Sequence, residues 1–261
     1  MDKNKKIRES RIGEENYNNY GTLMKIIKYY KNNDIWVEFQ DEYKAKVHTN
    51  YGNFKRGEVR NPYDKTVENV GYLGEGTYSK KENEKCYNYW KHMITRCYNP
   101  YKLNKYQMYI DCFVCEEWHC FQNFAKWYER NYYEIKGERM CLDKDILIKG
   151  NKIYSPTSCC FTPQRINVLF IKADSIRGKY PIGVCYHKIT NKLISQISVY
   201  EHNKTKRYHL GCFPLNKPFQ AFYTYKMFKE KYIKEVAEEY KNSIPIELYN
   251  AMYKWEVEIN D

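Results

Sequence analysis

The hydrophobic period changes once along this chain, close to residue 80, and that change limits the fold more than any other feature. Before it, "TLMKIIKYY" (22–30) and "DIWVEFQDEYKAKVHTNY" (34–51) are rich in branched and aromatic residues. The turn-like "KNND" divides them, and Gly- and Pro-bearing turns follow. Side chains of these types fit a pleated, half-buried surface, so the runs read as strands. Three to five short strands within 21–80 predict a small barrel or meander. The preceding residues 1–20 are polar and basic and read as a loose arm. "GYLGEG" (71–76) has glycines but no following Lys-Ser/Thr, so it reads as a linker rather than a phosphate loop.

After residue 82 the period becomes helical. "NEKCYNYWKHMITRCYN" puts Cys86, Tyr89, Trp90, Met93, Ile94 and Cys97 on one face, and Asn99-Pro100 ends it. A second helix over "CEEWHCFQNFAKWYERNY" (115–132) gathers Trp118, Phe121, Phe124, Ala125 and Tyr128. Stripes at this spacing are packing surfaces. Residues 141–170 then read as a strand (141–148), a Lys149-Gly150-Asn151 turn, a strand (152–155), a loop and a short helix (164–170). From 178 to 240 the order is three strands, "KYPIGVCYHK", "KLISQISVYE" and "KRYHLGCF", and then a long helix. A polar tail carrying the amphipathic "IELYNAMYKWEVEI" closes the chain. The fold class is therefore α+β and multi-domain. A β module (21–80) is followed by a helical plus ββα centre (82–171) and a three-stranded antiparallel sheet packed on a helix (172–261).

Charge narrows the function. The formal net charge is +12, and residues 172–234 hold thirteen Lys or Arg against three acids. An anionic partner follows, and double-stranded DNA fits, since a basic sheet can enter the major groove. No apolar run approaches the roughly 18 residues of a membrane span. The charged start "MDKNKKIRESR" has no apolar core of a signal peptide, so a cytoplasmic protein is expected. Ten cysteines are then expected to be reduced thiols. Cys112, Cys115, His119 and Cys120 have zinc-like spacing, but Cys115 also continues the apolar stripe of the second helix. Zinc is not expected. The 29 tyrosines are explained by AT-rich codon usage as readily as by base stacking.

Two resemblances sharpen this reading. Tyr180, Gly183, Val184 and Lys188, then Gln196 and Ile197, then His209, Leu210, Gly211 and Phe213, with Ala221 and Tyr225, resemble the APETALA/ethylene-response-factor DNA-binding domain in its phage homing-endonuclease form. That resemblance implies that the sheet reads DNA while the helix packs behind it. The candidate DNA-binding residues are Lys179, Lys188, Lys192, Gln196, Lys204, Lys206, Arg207 and His209. The family usually carries Arg in its first two strands, where this chain has Lys188, Lys192 and Gln196. Second, "YWKHMITRCYN", "VCEEWHCFQNFAKWY" and "LDKDILIKGNKIYSPTSCCFTPQRIN" resemble bacteriophage HNH-type (ββα-metal) homing endonucleases, from about residue 87 to the C-terminus.

The second resemblance implies Asp143 and Asn167 as ligands of one Mg2+, Lys144 at the position of the general base, and Asn151 as the residue that orients it. Lysine, with an ordinary pKa of about 10.4, is a poor base, and the flanking Asp143 and Asp145 favour its charged form. The expectation is a DNA-binding protein on a homing-endonuclease-like scaffold with a degenerate HNH site. Two alternatives stand beside it. One is an active Mg2+-dependent nickase or homing endonuclease, and the other is a non-enzymatic phage inhibitor of a host defence complex acting through the β module.

Overall fold

A computed structural model describes residues 10–171, 178–201, 204–259 and 261. The described chain is α+β and divides into two compact units, residues 1–130 with 153–155 and residues 131–152 with 156–261. The helices of the expected central domain therefore fall in the first unit with residues 153–155 of its expected second strand, and the rest of its ββα segment falls in the second.

The first unit opens with an antiparallel meander of four strands, β1 (Glu15–Tyr17), β2 (Leu23–Lys31), β3 (Asp34–Phe39) and β4 (Lys46–Thr49). Residues 15–17 of the expected loose arm are thus a paired edge strand, with Glu15 opposite Lys25. Residues 1–9 lie outside the described residues. Period-two alternation sends Met24, Ile26, Ile35, Val37 and Phe39 to one face, where they are fully buried with Phe54 of α1 (Tyr51–Lys55). Each such side chain contributes about 1.5–3 kcal/mol by leaving water.

Helix α2 (Glu84–Tyr98) buries Cys86, Tyr87, Trp90, Met93, Ile94 and Cys97 at helical spacing. The Trp90 indole donates to the Trp118 carbonyl at 2.8 Å. The second expected helix begins later than its sequence pattern, as α4 (Phe121–Asn131), while Glu116–His119 form a 3-10 turn. Cys115 precedes that turn and is partly exposed, so it is not the core residue expected. "GYLGEG" is not a loose linker either. Gly71 packs so closely that a Cβ would stand 2.5 Å from Ile94 and 2.9 Å from Trp90. Between these helices lie α3 (Pro100–Lys105) and β5 (Phe113–Val114).

In the second unit β6 (Met140–Asp143) pairs antiparallel with β8 (Cys160–Pro163), and α5 (Gln164–Asn167) packs on both. The expected 141–148/152–155 hairpin does not form. Asp143 ends the first strand early, because its Oδ1 accepts the backbone N–H groups of Asp145 and Ile146, each at 2.8 Å. Residues Ile153–Tyr154 form β7 instead, parallel to β5 in the first unit. The order is still strand, long loop, strand, helix.

A three-stranded antiparallel sheet follows, with β10 (Lys192–Glu201) central between β9 (Val184–His187) and β11 (Lys204–Phe213). It packs on α6 (Pro218–Tyr240), and α7 (Ile246–Tyr253) packs on α6 in turn. Leu193, Ile197 and Val199 form one core with Ala221, Tyr225, Ile233 and Val236, and Ile146, Ile166 and Leu169 belong to that same core. The nuclease-like segment and the basic sheet are therefore joined by packing. The seal depends on Gly183, at φ +76°, where a Cβ would overlap the Tyr225 ring. Gly183→Ala is expected to destabilise this unit by roughly 2–4 kcal/mol, through overpacking and backbone strain together. An unchanged midpoint in urea unfolding would contradict that fit.

Candidate nucleic-acid interface

Side chains alternate across a strand, and cross-strand partners share a face. The buried Leu193, Ser195, Ile197 and Val199 define the face of β10 turned to α6. The opposite, open face carries Lys192, Gln196, Ser198 and Tyr200. Register adds His187 opposite Lys192, His209 opposite Gln196, Arg207 opposite Ser198 and Thr205 opposite Tyr200. A bulge between Ser195 and Gln196 shifts the pairing, and it leaves His209 Nε2 3.4 Å from Cys212 Sγ.

The structure thus brings together Lys192, Gln196, Arg207 and His209. Lys206 is opposite the buried Val199, and its ammonium lies 4.6 Å from the centre of the Tyr208 ring, so register puts it on the helix side. Lys204 has the same parity at the tip of the hairpin, opposite Glu201. Lys188 is exposed in the β9–β10 turn, and Lys179 precedes β9 with its ammonium 5.2 Å from the centre of the Tyr180 ring. The basic residues Lys172 and Arg177 lie outside the described residues. Among the described residues, no carboxylate is within ion-pair distance of Lys179, Lys188, Lys192 or Arg207. Sequence reasoning missed His187, Ser198, Tyr200 and Thr205. Counting by twos from Gln196 finds Ser198 and Tyr200.

Charge is also sorted within this unit. Beyond Lys234 come seven acids and two lysines, carried by the last turns of α6, by α7 and by the tail. The Lys and Arg excess therefore belongs to the sheet and the first turns of α6.

The loop after β6 holds the nuclease-like residues. Lys144, only 7 % exposed, donates its ammonium to Asp145 Oδ2 at 2.9 Å and to the Asn151 carbonyl at 3.1 Å. Asn151 returns a bond from Nδ2 to the Lys144 carbonyl at 2.6 Å. These reciprocal bonds close residues 144–151 into a ring, with Gly150 at φ +80° in its turn. The C-terminal tail fastens the ring from outside. Lys149 donates to Asp261 Oδ2 at 2.7 Å and to the Glu256 carbonyl at 2.8 Å, with its ammonium 5.2 Å from the centre of the Trp255 ring. Nothing in the tail's composition announced that latch.

Burial and the neighbouring Asp145 push the Asp143 carboxyl up to about 6. Cys160 is the cross-strand partner of Asp143, and burial with that carboxylate pushes its thiol up as well. Asn167 is half-buried at the end of α5. His92 and His119 belong to the other unit, and His119 Nε2 lies 3.1 Å from the Val114 carbonyl.

Mg2+ takes near-octahedral oxygen ligands, with waters completing one or two carboxylates, and part of the donor set expected here is already engaged. One Asp143 oxygen already holds its own loop, and the Lys144 ammonium occupies Asp145. Among the described residues, no group of three His, Cys, Asp or Glu side chains could hold a metal ion. Compared with known proteins, the chain matches no family model, no curated protein and no solved structure.

Proposed function

We propose that this chain is a DNA-binding protein that grips duplex DNA with the open face of β9–β11, on a homing-endonuclease-like scaffold whose chemistry is gone. The observation that carries the reading is the sorting of the sheet. One face is sealed on α6, while the other offers Lys192, Arg207, His209 and Gln196 with no carboxylate partner among the described residues. Cations left unpaired on a rigid surface suit phosphates, and Gln196 and Arg207 can donate to base edges in the major groove. Release of counterions makes such binding strongly salt-dependent.

The loss of cleavage rests on Lys144. A general base must be able to take a proton. The Lys144 nitrogen is already committed as a donor to a carboxylate and a carbonyl.

One experiment tests both halves. Full-length protein is incubated with genomic DNA in Mg2+, Mn2+ or chelator, new ends are mapped by sequencing, and retention of DNA is followed against salt. Salt-sensitive retention without metal-dependent ends is expected. Recurrent metal-dependent ends that vanish in Asp143→Ala would overturn the inactive reading, and absence of retention would overturn the DNA-binding one.

A further inference from the structure

We propose a second DNA contact in the first unit, on the arm from the end of α2 to β5, which adds to the sheet and rests on the DNA-binding reading above. The arm is unusual in what it leaves in water. Helix α3 buries no residue, although it is capped well by Asn99 Oδ1, which accepts the Lys102 N–H at 3.1 Å. Tyr101 is 70 % exposed, Met108 56 % and Ile110 47 %, with Tyr106 between them at 39 %. Large side chains left out of the core in one short segment mark an interaction surface.

The charges say what that surface fits. Lys102 and Lys105 lie with their ammonium groups 5.9 and 5.4 Å from the centre of the Tyr106 ring. The Arg96 guanidinium lies between Tyr109 and Tyr154, at 5.7 and 5.3 Å from the ring centres. Among the described residues, none of the three cations has a carboxylate partner, and Asp111 is the one acid between residues 96 and 113. Arg96 braces the rings from inside, whereas Lys102 and Lys105, held against the Tyr106 ring, keep their charge directed outward at low entropic cost. A polyanion whose interior offers flat apolar faces matches cations interleaved with exposed aromatic and aliphatic side chains. Phosphates take Lys102 and Lys105, while Tyr101 and Met108 rest against sugars or wedge at a base step, as apolar side chains do in groove-widening proteins.

The test uses the full chain and a fluorescein-labelled mixed-sequence 40-base-pair duplex, with dissociation constants measured over a salt series. Lys102→Gln/Lys105→Gln is expected to weaken binding about three- to tenfold at low salt. It should also reduce the slope of log K against log salt by about 2. Tyr101→Ala/Met108→Ala, at exposed positions that leave the circular dichroism unchanged, should weaken binding about fivefold and leave the slope as it was. Wild-type affinity and slope in either variant overturn this inference and leave the sheet reading intact. Wild-type protein that does not bind the duplex at all overturns both.

Discussion

Lys192→Ala/Arg207→Ala is expected to lose about 100-fold in DNA affinity at low salt, whereas Lys206→Ala should change it less than threefold. The contrast follows from register. Arg207 and Lys206 are adjacent in sequence and equally charged, but they point to opposite faces of β11. Arg207 stands opposite Ser198 on the open face, and Lys206 stands opposite buried Val199 with its ammonium on Tyr208. Removing one contact to a base edge costs about 1–3 kcal/mol, and removing one phosphate contact lowers the salt slope by about 1. Two such losses on one rigid face give the stated factor. Arg207→Lys should recover only part of it, since an ammonium lacks the planar fork that donates twice. The measurement is the same salt series on labelled duplex. Equal effects of Lys206→Ala and Arg207→Ala would mean that charge alone, and not this face, holds DNA.

That contrast also shows what the sequence could and could not reveal. The three strands and the long helix are legible because Leu193, Ile197 and Val199 alternate, and because Ala221, Tyr225, Ile233 and Val236 recur at helical spacing. A clustered count of Lys and Arg treats Lys206 and Arg207 alike, so only pairing separates them. The nuclease-like loop misleads for a local reason. Ile146 and Ile148 look like a continuation of β6, but the Asp143 carboxylate caps the N–H groups that a longer strand would pair. The packing partners of Ile166 and Leu169 are hidden for a long-range reason. Ile166 and Leu169 complete a core built by β10 and α6, and no pattern within their own segment records that contact. The exposed arm around Tyr101 shows no hydrophobic period in sequence, and its exposure appears only in the structure.

Asp143→Asn should stabilise the protein at pH 7 and leave DNA binding unchanged, although an acid at this position is a metal ligand in a working HNH site. The folded carboxyl is raised from 3.8 to about 6, first by burial and then by Asp145. A group whose folded pKa lies above its unfolded value is penalised when ionised in the folded state. The penalty is therefore absent below about pH 4, grows through the window up to about 6, and is fully present at neutral pH. Wild-type stability should fall across that window as pH rises. Asparagine carries no charge, and its Oδ1 can still accept both backbone N–H bonds, so the variant should gain about 1–2 kcal/mol at pH 7 once partial exposure is discounted. The gain should vanish near pH 4, as read from urea midpoints at both pH values. A nuclease keeps such a costly carboxylate because it does chemistry there. In this loop the Lys144 ammonium and the Asn151 amide already hold the ring closed, and Asp143 contributes a turn that asparagine reproduces. If Asp143→Asn instead lowers stability at pH 7, the loop needs the carboxylate itself; if it abolishes metal-dependent DNA breaks present in the wild type, the scaffold is a live nuclease.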